Sequence, residues 1–231
     1  MARNKTLAQL VSGLRLEIGS TNSVSVGADF EENVKQLLRR TQELLYDDYD
    51  WPHLNVITSK ALTAGSRFYD MPADLNFDRI ANVAILYGGT YVPVKRGIGF
   101  QEYSSYDPAA DERTDPVKRW GVRYTGSADQ IEVWPLPASA QTLYFEGIRD
   151  LPALTSDSDV AALDDQLIIL YAAAEMLAKS KSANAGAVQQ KAQDRYSRLK
   201  SNSKSGSARI QLGLGDTRQD RNGPSIVQVA S

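Results

Sequence analysis

The chain of 231 residues has no cysteine and a single histidine, His53. Without thiols there is no disulfide, no thiolate zinc site and no cysteine nucleophile. Long hydrophobic runs are missing too. No window approaches the roughly 20 apolar residues that span a bilayer. The apolar run in the N-terminal MARNKTLAQLVSGLRLEIGS is too short and interrupted for a signal peptide. A soluble protein made in the cytoplasm is therefore expected. Enzymatic motifs are equally scarce. No G-x-S-x-G accompanies His53, and Gly97-Ile98-Gly99 lacks a third glycine and a following helix. No P-loop is present. Any two of the 28 acids could be paired on paper, so a glycosidase-type carboxylate pair carries no signal.

What is present is ordinary globular composition, 42% hydrophobic and 23% charged, with a net charge of -2 that hides an asymmetry. Between Ala28 and Trp51 stand seven acids (Asp29, Glu31, Glu32, Glu43, Asp47, Asp48, Asp50) against Lys35, Arg39 and Arg40. From Lys179 to Arg221 there are ten Lys/Arg against Asp194, Asp216 and Asp220. Opposite charge at the two ends fits either a surface that meets a partner, including a copy of the chain itself, or two solvated helix faces plus a basic tail.

Periodicity divides the chain. Leu7, Leu10, Val11, Leu14 and Ile18 recur at helical spacing, with Gly19 as a C-terminal stop. After the polar STNSVSVGA, Asp29 and Glu32 resemble a capping box. Phe30, Val34, Leu37, Leu38, Leu45 and Tyr49 then predict a helix to about Tyr49, ended by Pro52. Seven short β-type runs follow: 55–62, 66–70, 80–87, 90–95, 120–125, 130–134 and 142–148. Turn signals such as Gly88-Gly89 separate them. A long polar loop is expected over 101–118. Helical spacing returns from Leu163 to Ala178, apolar around most of the circumference, and again from Val188 to about Lys200. The expected class is α+β. Two N-terminal helices (1–51) and two C-terminal helices (153–200) form one bundle. An antiparallel β-domain (52–152), sandwich or small barrel, is inserted between them, and an extended arm (201–231) follows.

The stretch YDDYDWPHLNV, residues 46–56, concentrates acids, aromatics and His53. A metal-dependent hydrolase would need Asp47, Asp50 and His53 to converge. Asp47 and Asp50 share a helical face only if the helix continues, and Pro52 separates His53 from both. The competing reading makes Tyr49, Trp51 and Pro52 a helix-to-sheet junction. The acids sit badly at a negative helix C-terminus, so something must offset them. Asp47, Asp48 and Asp50, facing Arg195 and Arg198, are candidates for a subunit contact. A third reading, a nucleic-acid-binding module on the basic C-terminal helix, has only Tyr196 as a stacking residue.

The order of segments resembles a known family. LRLEIGS, LLRRTQELLYDDYDWPHL, FYDMPADLNFDRIANV, DQIEVWPLP, LYFEGIRDLPALTSDSD and LIILYAAAEMLA together resemble the head-to-tail adaptor (connector) proteins of tailed bacteriophages, relatives of podovirus tubular tail proteins. The likeness covers residues 7 to about 200, with DDYDWP and W-P-L-P the most telling. It implies a structural virion protein of the neck or tail, made in the host cytoplasm, with no enzymatic activity, cofactor or membrane. It implies a homo-oligomeric ring, commonly a dodecamer, beneath the portal protein. DNA passes through the ring's channel without sequence-specific binding. The distal side, through β-domain loops near Arg113, Lys118, Arg119 and Arg123, receives a nozzle or tail tube protein. A C-terminal arm docks on the portal, which would involve Arg209, Ile210, Leu212, Arg218, Arg221, Ile226, Val227 and Val229. SIVQVA could add a strand to a neighbour's sheet edge.

Overall fold

In a computed structural model, residues 3–19 and 28–207 are described, with 28, 29 and 203–207 described by backbone alone. The class is α+β, with five helices and eight strands among the described residues. Helix α1 (Leu7–Glu17) starts at a reciprocal cap. The Thr6 hydroxyl accepts from the Gln9 amide at 3.3 Å, and the Gln9 side chain accepts from the Thr6 amide at 3.1 Å. Helix α2 (Ala28–Asp47) stops two residues before the expected Tyr49. Ala28 is already helical, so Asp29 is not its cap.

Helix α4 (Asp165–Lys179) is the apolar centre. Leu167, Ile168, Ile169, Leu170, Ala172, Ala173 and Ala174 leave little of its circumference for water. It packs against α1, α2 and α5 (Ala185–Ser207), and all four helices share one hydrophobic cluster. Helix α5 is longer than its apolar anchors suggested, because residues 201–207 continue it.

Between α2 and α4 lie two four-stranded sheets. One has the order β1 (Asn55–Leu62), β8 (Gln141–Ile148), β3 (Ile80–Tyr87), β4 (Thr90–Pro93). The other has the order β2 (Phe68–Asp70), β7 (Asp129–Trp134), β6 (Arg119–Tyr124), β5 (Lys95–Arg96). They share a second core, in which Trp120 of one sheet meets Phe145 of the other edge to face at 5.9 Å. Gly88 and Gly89 take φ of 58° and 80° in the turn joining β3 to β4, a conformation that disfavours a Cβ.

Two expectations need correction. The β5–β6 pair is parallel, so the second sheet is mixed. A parallel pair needs a crossover of a dozen or more residues, and the excursion between Arg96 and Arg119 supplies it. That excursion is not plain loop. It contains α3 (Phe100–Tyr103), a 3-10 turn at Pro108–Ala110 and a bridge from Arg113 to Leu136. Gly99 does precede α3, but a single turn lacks the helix that a phosphate cradle needs.

Strand β1 pairs with β8 along its whole length, from Asn55↔Ile148 to Leu62↔Gln141. The entry to the sheets and the exit from them are therefore neighbours, which returns the chain to the helices it left. Gly147 sits at this seam with no room beside it. An added Cβ would lie 2.8 Å from the Arg79 carbonyl oxygen and 3.1 Å from Ile80 Cα. Backbone cannot step aside as a side chain can. Gly147→Ala should cost about 1–3 kcal/mol in chemical denaturation, from overpacking; a cost under about 0.5 kcal/mol would show that the seam yields.

Candidate functional site

The chain from α2 to β1 is a compact joint. Trp51 is 4% exposed, and its indole N–H donates to the Leu45 carbonyl at 2.8 Å, satisfying an acceptor left open at the helix end. Tyr49 meets it edge to face at 5.1 Å, and Tyr196 from α5 at 6.1 Å. Pro52 opens a 3-10 turn, Pro52–Leu54, where its missing N–H costs nothing. His53 lies in that turn, just before β1. Its Nε2–H donates to the Ala162 carbonyl at 2.9 Å, and partial burial of the ring lowers its pKa despite an exposed edge.

The acids of this stretch go separate ways. Asp48 accepts from the Tyr196 hydroxyl and from Lys200 Nζ at 3.4 Å. Asp50 accepts from Arg79 Nε at 2.8 Å, while Arg79 Nη1 donates to the Tyr46 carbonyl at 2.7 Å and its guanidinium lies 4.6 Å from the Tyr46 ring centre. The negative end of α2 is thus offset from within the chain, by α5 and by the turn before β3. Asp47 stays exposed, with no ion pair to another described residue. Asp47, Asp50 and His53 are not brought together, and no group of three or more His, Asp or Glu among the described residues could hold a metal.

Arg195 is engaged internally as well. Its Nε and Nη2 donate to the two carboxylate oxygens of Asp164 at 2.7 and 2.9 Å. Asp164 is 3% exposed and also caps α4 by accepting from the Leu167 amide at 3.0 Å. One carboxylate therefore ties the start of the central helix to α5. Sequence reading missed this, although an Asp three residues before Leu167 at the head of an apolar run is a cap signal. Arg198 is exposed and has no ion pair to another described residue, and the same holds for Glu43 and Lys191, which sequence reading did not single out. Tyr196 is only 8% exposed, packed on Trp51 and Tyr171, so it offers no face on which a base could stack.

On the β side, Arg119 pairs with Glu102 at 3.1 Å and Arg113 with Asp111 at 2.6 Å. Lys118 lies over Tyr106 and Arg123 over Phe68, at 5.5 and 4.6 Å from the ring centres. The C-terminal residues from Arg209 to Val229 lie outside the described residues.

Among the described residues, these polar groups hold structure together or face solvent. The profile of the SU10 adaptor proteins matches residues 5–223, helices and sheets alike. The chain belongs to the SU10 adaptor protein family. No curated protein matches it. SU10 adaptors are structural phage proteins of the virion neck or tail, a class that is not enzymatic, and they associate with other virion components such as portal and tail. In this SU10 adaptor no helix among the described residues is long and apolar enough to cross a membrane.

Two outcomes follow for the adaptor's charged contacts. Arg195→Ala leaves the Asp164 carboxylate buried without its partner and should cost about 2–3 kcal/mol, somewhat below a fully buried pair because the Arg195 side chain is partly exposed; a denaturant midpoint shift measures it. His53 has a folded pKa below its usual 6.5, so the unfolded chain takes up the proton first. Stability is then full above that value and falls as pH drops through it. Between about pH 7.5 and 5.5 the wild type should lose more melting temperature than His53→Gln, which keeps a donor for Ala162 without the charge; equal losses would show that His53 does not titrate against folding.

Proposed function

We propose that copies of this chain form a closed ring that joins the portal to the tail and leaves a channel through which DNA passes. The observation that carries this reading is the extent of the family match, 219 positions running from residue 5 to residue 223. It takes in helices, sheets and the segment after α5 together, so the chain is an adaptor throughout rather than a domain with an adaptor-like part.

Within that reading the helices of 1–51 and 153–200 act as one bundle facing the portal. The β-domain of 52–152 projects from it toward the nozzle or tail tube. The segment after α5, with Arg209, Ile210, Leu212, Arg218, Arg221, Ile226, Val227 and Val229, is the portal-docking arm. Two features of the molecule suit it to such a place. The β1–β8 seam and the shared helical core make the two halves lean on each other, as a load-carrying joint requires. Lys118 and Arg123, exposed at β6, rest on aromatic rings instead of carboxylates, which leaves them available to an acidic partner surface.

The test is mass measurement by sedimentation, alone and with purified portal, together with removal of residues 208–231. A ring-sized species is expected at least in the presence of portal, because subunit association is linked to partner binding. Truncation should weaken portal binding by about tenfold or more. A monomer under both conditions overturns the ring, and unchanged portal binding after truncation overturns the arm.

A further inference from the structure

Helical geometry sorts the surface of α2 and α5 into an inner side and an outer side. Thr41 and Leu44 of α2, Asp48 just after it, and Gln189, Gln193 and Lys200 of α5 line a shared groove of about 790 Å³ above α4. Glu43 and Asp47, one turn apart, lie on the side of α2 turned away from α5. Lys191 and Arg198, two turns apart, lie on the side of α5 turned away from α2. Two flanks of opposite sign thus stand at opposite edges of one helical layer.

Each flank is more than a charge. The acidic one borders a groove of about 300 Å³ walled by Leu151, Pro152 and Leu154. The basic one borders a groove of about 450 Å³ with Leu170 and Leu199 in its wall. Apolar surface within a charged rim is the anatomy of a protein–protein contact. The other charges on these flanks are already engaged. Arg39, beside the acids, donates to the Leu154 and Thr155 carbonyls and pairs with Glu32 at 2.9 Å. Arg195, beside the bases, holds Asp164, and Asp194 accepts from Gln190 at 2.9 Å. Glu43, Asp47, Lys191 and Arg198 have no such partner among the described residues.

We propose that the Glu43/Asp47 flank of one copy docks against the Lys191/Arg198 flank of the next. The inference rests on the ring reading above and gives it a residue-level contact. Because the two flanks differ, the contact is head-to-tail and leaves an unused flank at each end until a ring closes. A self-complementary dimer contact would stop at two copies. The charges set register and choice of partner, while the groove walls supply the burial. This replaces the contact set read from sequence: Asp48, Asp50 and Arg195 hold the subunit itself together, and Asp47 and Arg198 remain, joined by Glu43 and Lys191.

Charge reversal tests the pairing directly on the full chain at low salt, with and without portal. Glu43→Lys with Asp47→Lys makes both flanks basic. Lys191→Glu with Arg198→Glu makes both acidic. All four positions are exposed, and a retained unfolding midpoint confirms that each variant folds. Each variant alone should need about tenfold more protein to assemble, whereas an equimolar mixture should assemble like the wild type by alternating the two. If the wild type assembles and both variants assemble equally well, the contact lies elsewhere and the ring reading stands. If each variant fails and mixing restores nothing, the pairing is likewise wrong. A wild type that stays monomeric even with portal overturns the ring reading and this contact together.

Discussion

The constraint on which the structure turns is the burial of α4. A helix apolar on nearly every side cannot face water on any of them, and its one sequence neighbour in the helical layer, α5, covers only one stripe. The remaining stripes are covered by α1 and α2, which precede it by more than a hundred residues. The β part between them must therefore end where it began. The β1–β8 pairing achieves this, because antiparallel partners running the full length of both strands put residues 55 and 148 side by side. Gly147 lies in that seam because a side chain there would push against the backbone before β3.

Charge is distributed in the same spirit. The carboxylates clustered at the end of α2 oppose the local helix dipole, and the fold answers two of them from different distant elements: Asp48 from α5, Asp50 from Arg79. Asp164 works the other way, with a helix start that favours its charge, and adds a two-pronged bond to Arg195. These contacts link the helical core to the joint at Trp51 and the joint to the sheets. Asp48, Asp50 and Arg195, which look like parts of a site in the sequence, are internal ties of the subunit.

That arrangement suits a structural protein of the phage neck or tail. An SU10 adaptor associates with other virion components such as portal and tail, and in this chain some charges stay out of the internal network. The exposed acids of α2 and bases of α5 stand on opposite edges of the helical layer, and the cations near β6 stand on aromatic rings at the sheets. Separate surfaces of distinct chemistry let one chain meet unlike partners without confusing them.

Much of this was legible from residues alone. Period 3.6 marked α1, α2, α4 and α5; short β-branched runs marked seven of the eight strands; Gly88-Gly89 marked a hairpin; the junction residues and the family texture were on the page. The exclusion of thiol chemistry and disulfides followed from composition and needs no structure. What sequence could not decide were the facts that depend on separation in space. The parallel β5–β6 pair, the length of α5 beyond its apolar anchors, and the partners of Asp48 and Asp50 in YDDYDWPHLNV were of this kind. Local spacing governs which residues share a helix face or a strand face, because backbone geometry is fixed within a few residues. An ion pair such as Asp48 with Lys200, or Asp164 with Arg195, joins residues 152 and 31 positions apart. Only the packing of α4 among the other helices brings those groups to bonding distance, and only that packing shows which charges are left for a partner.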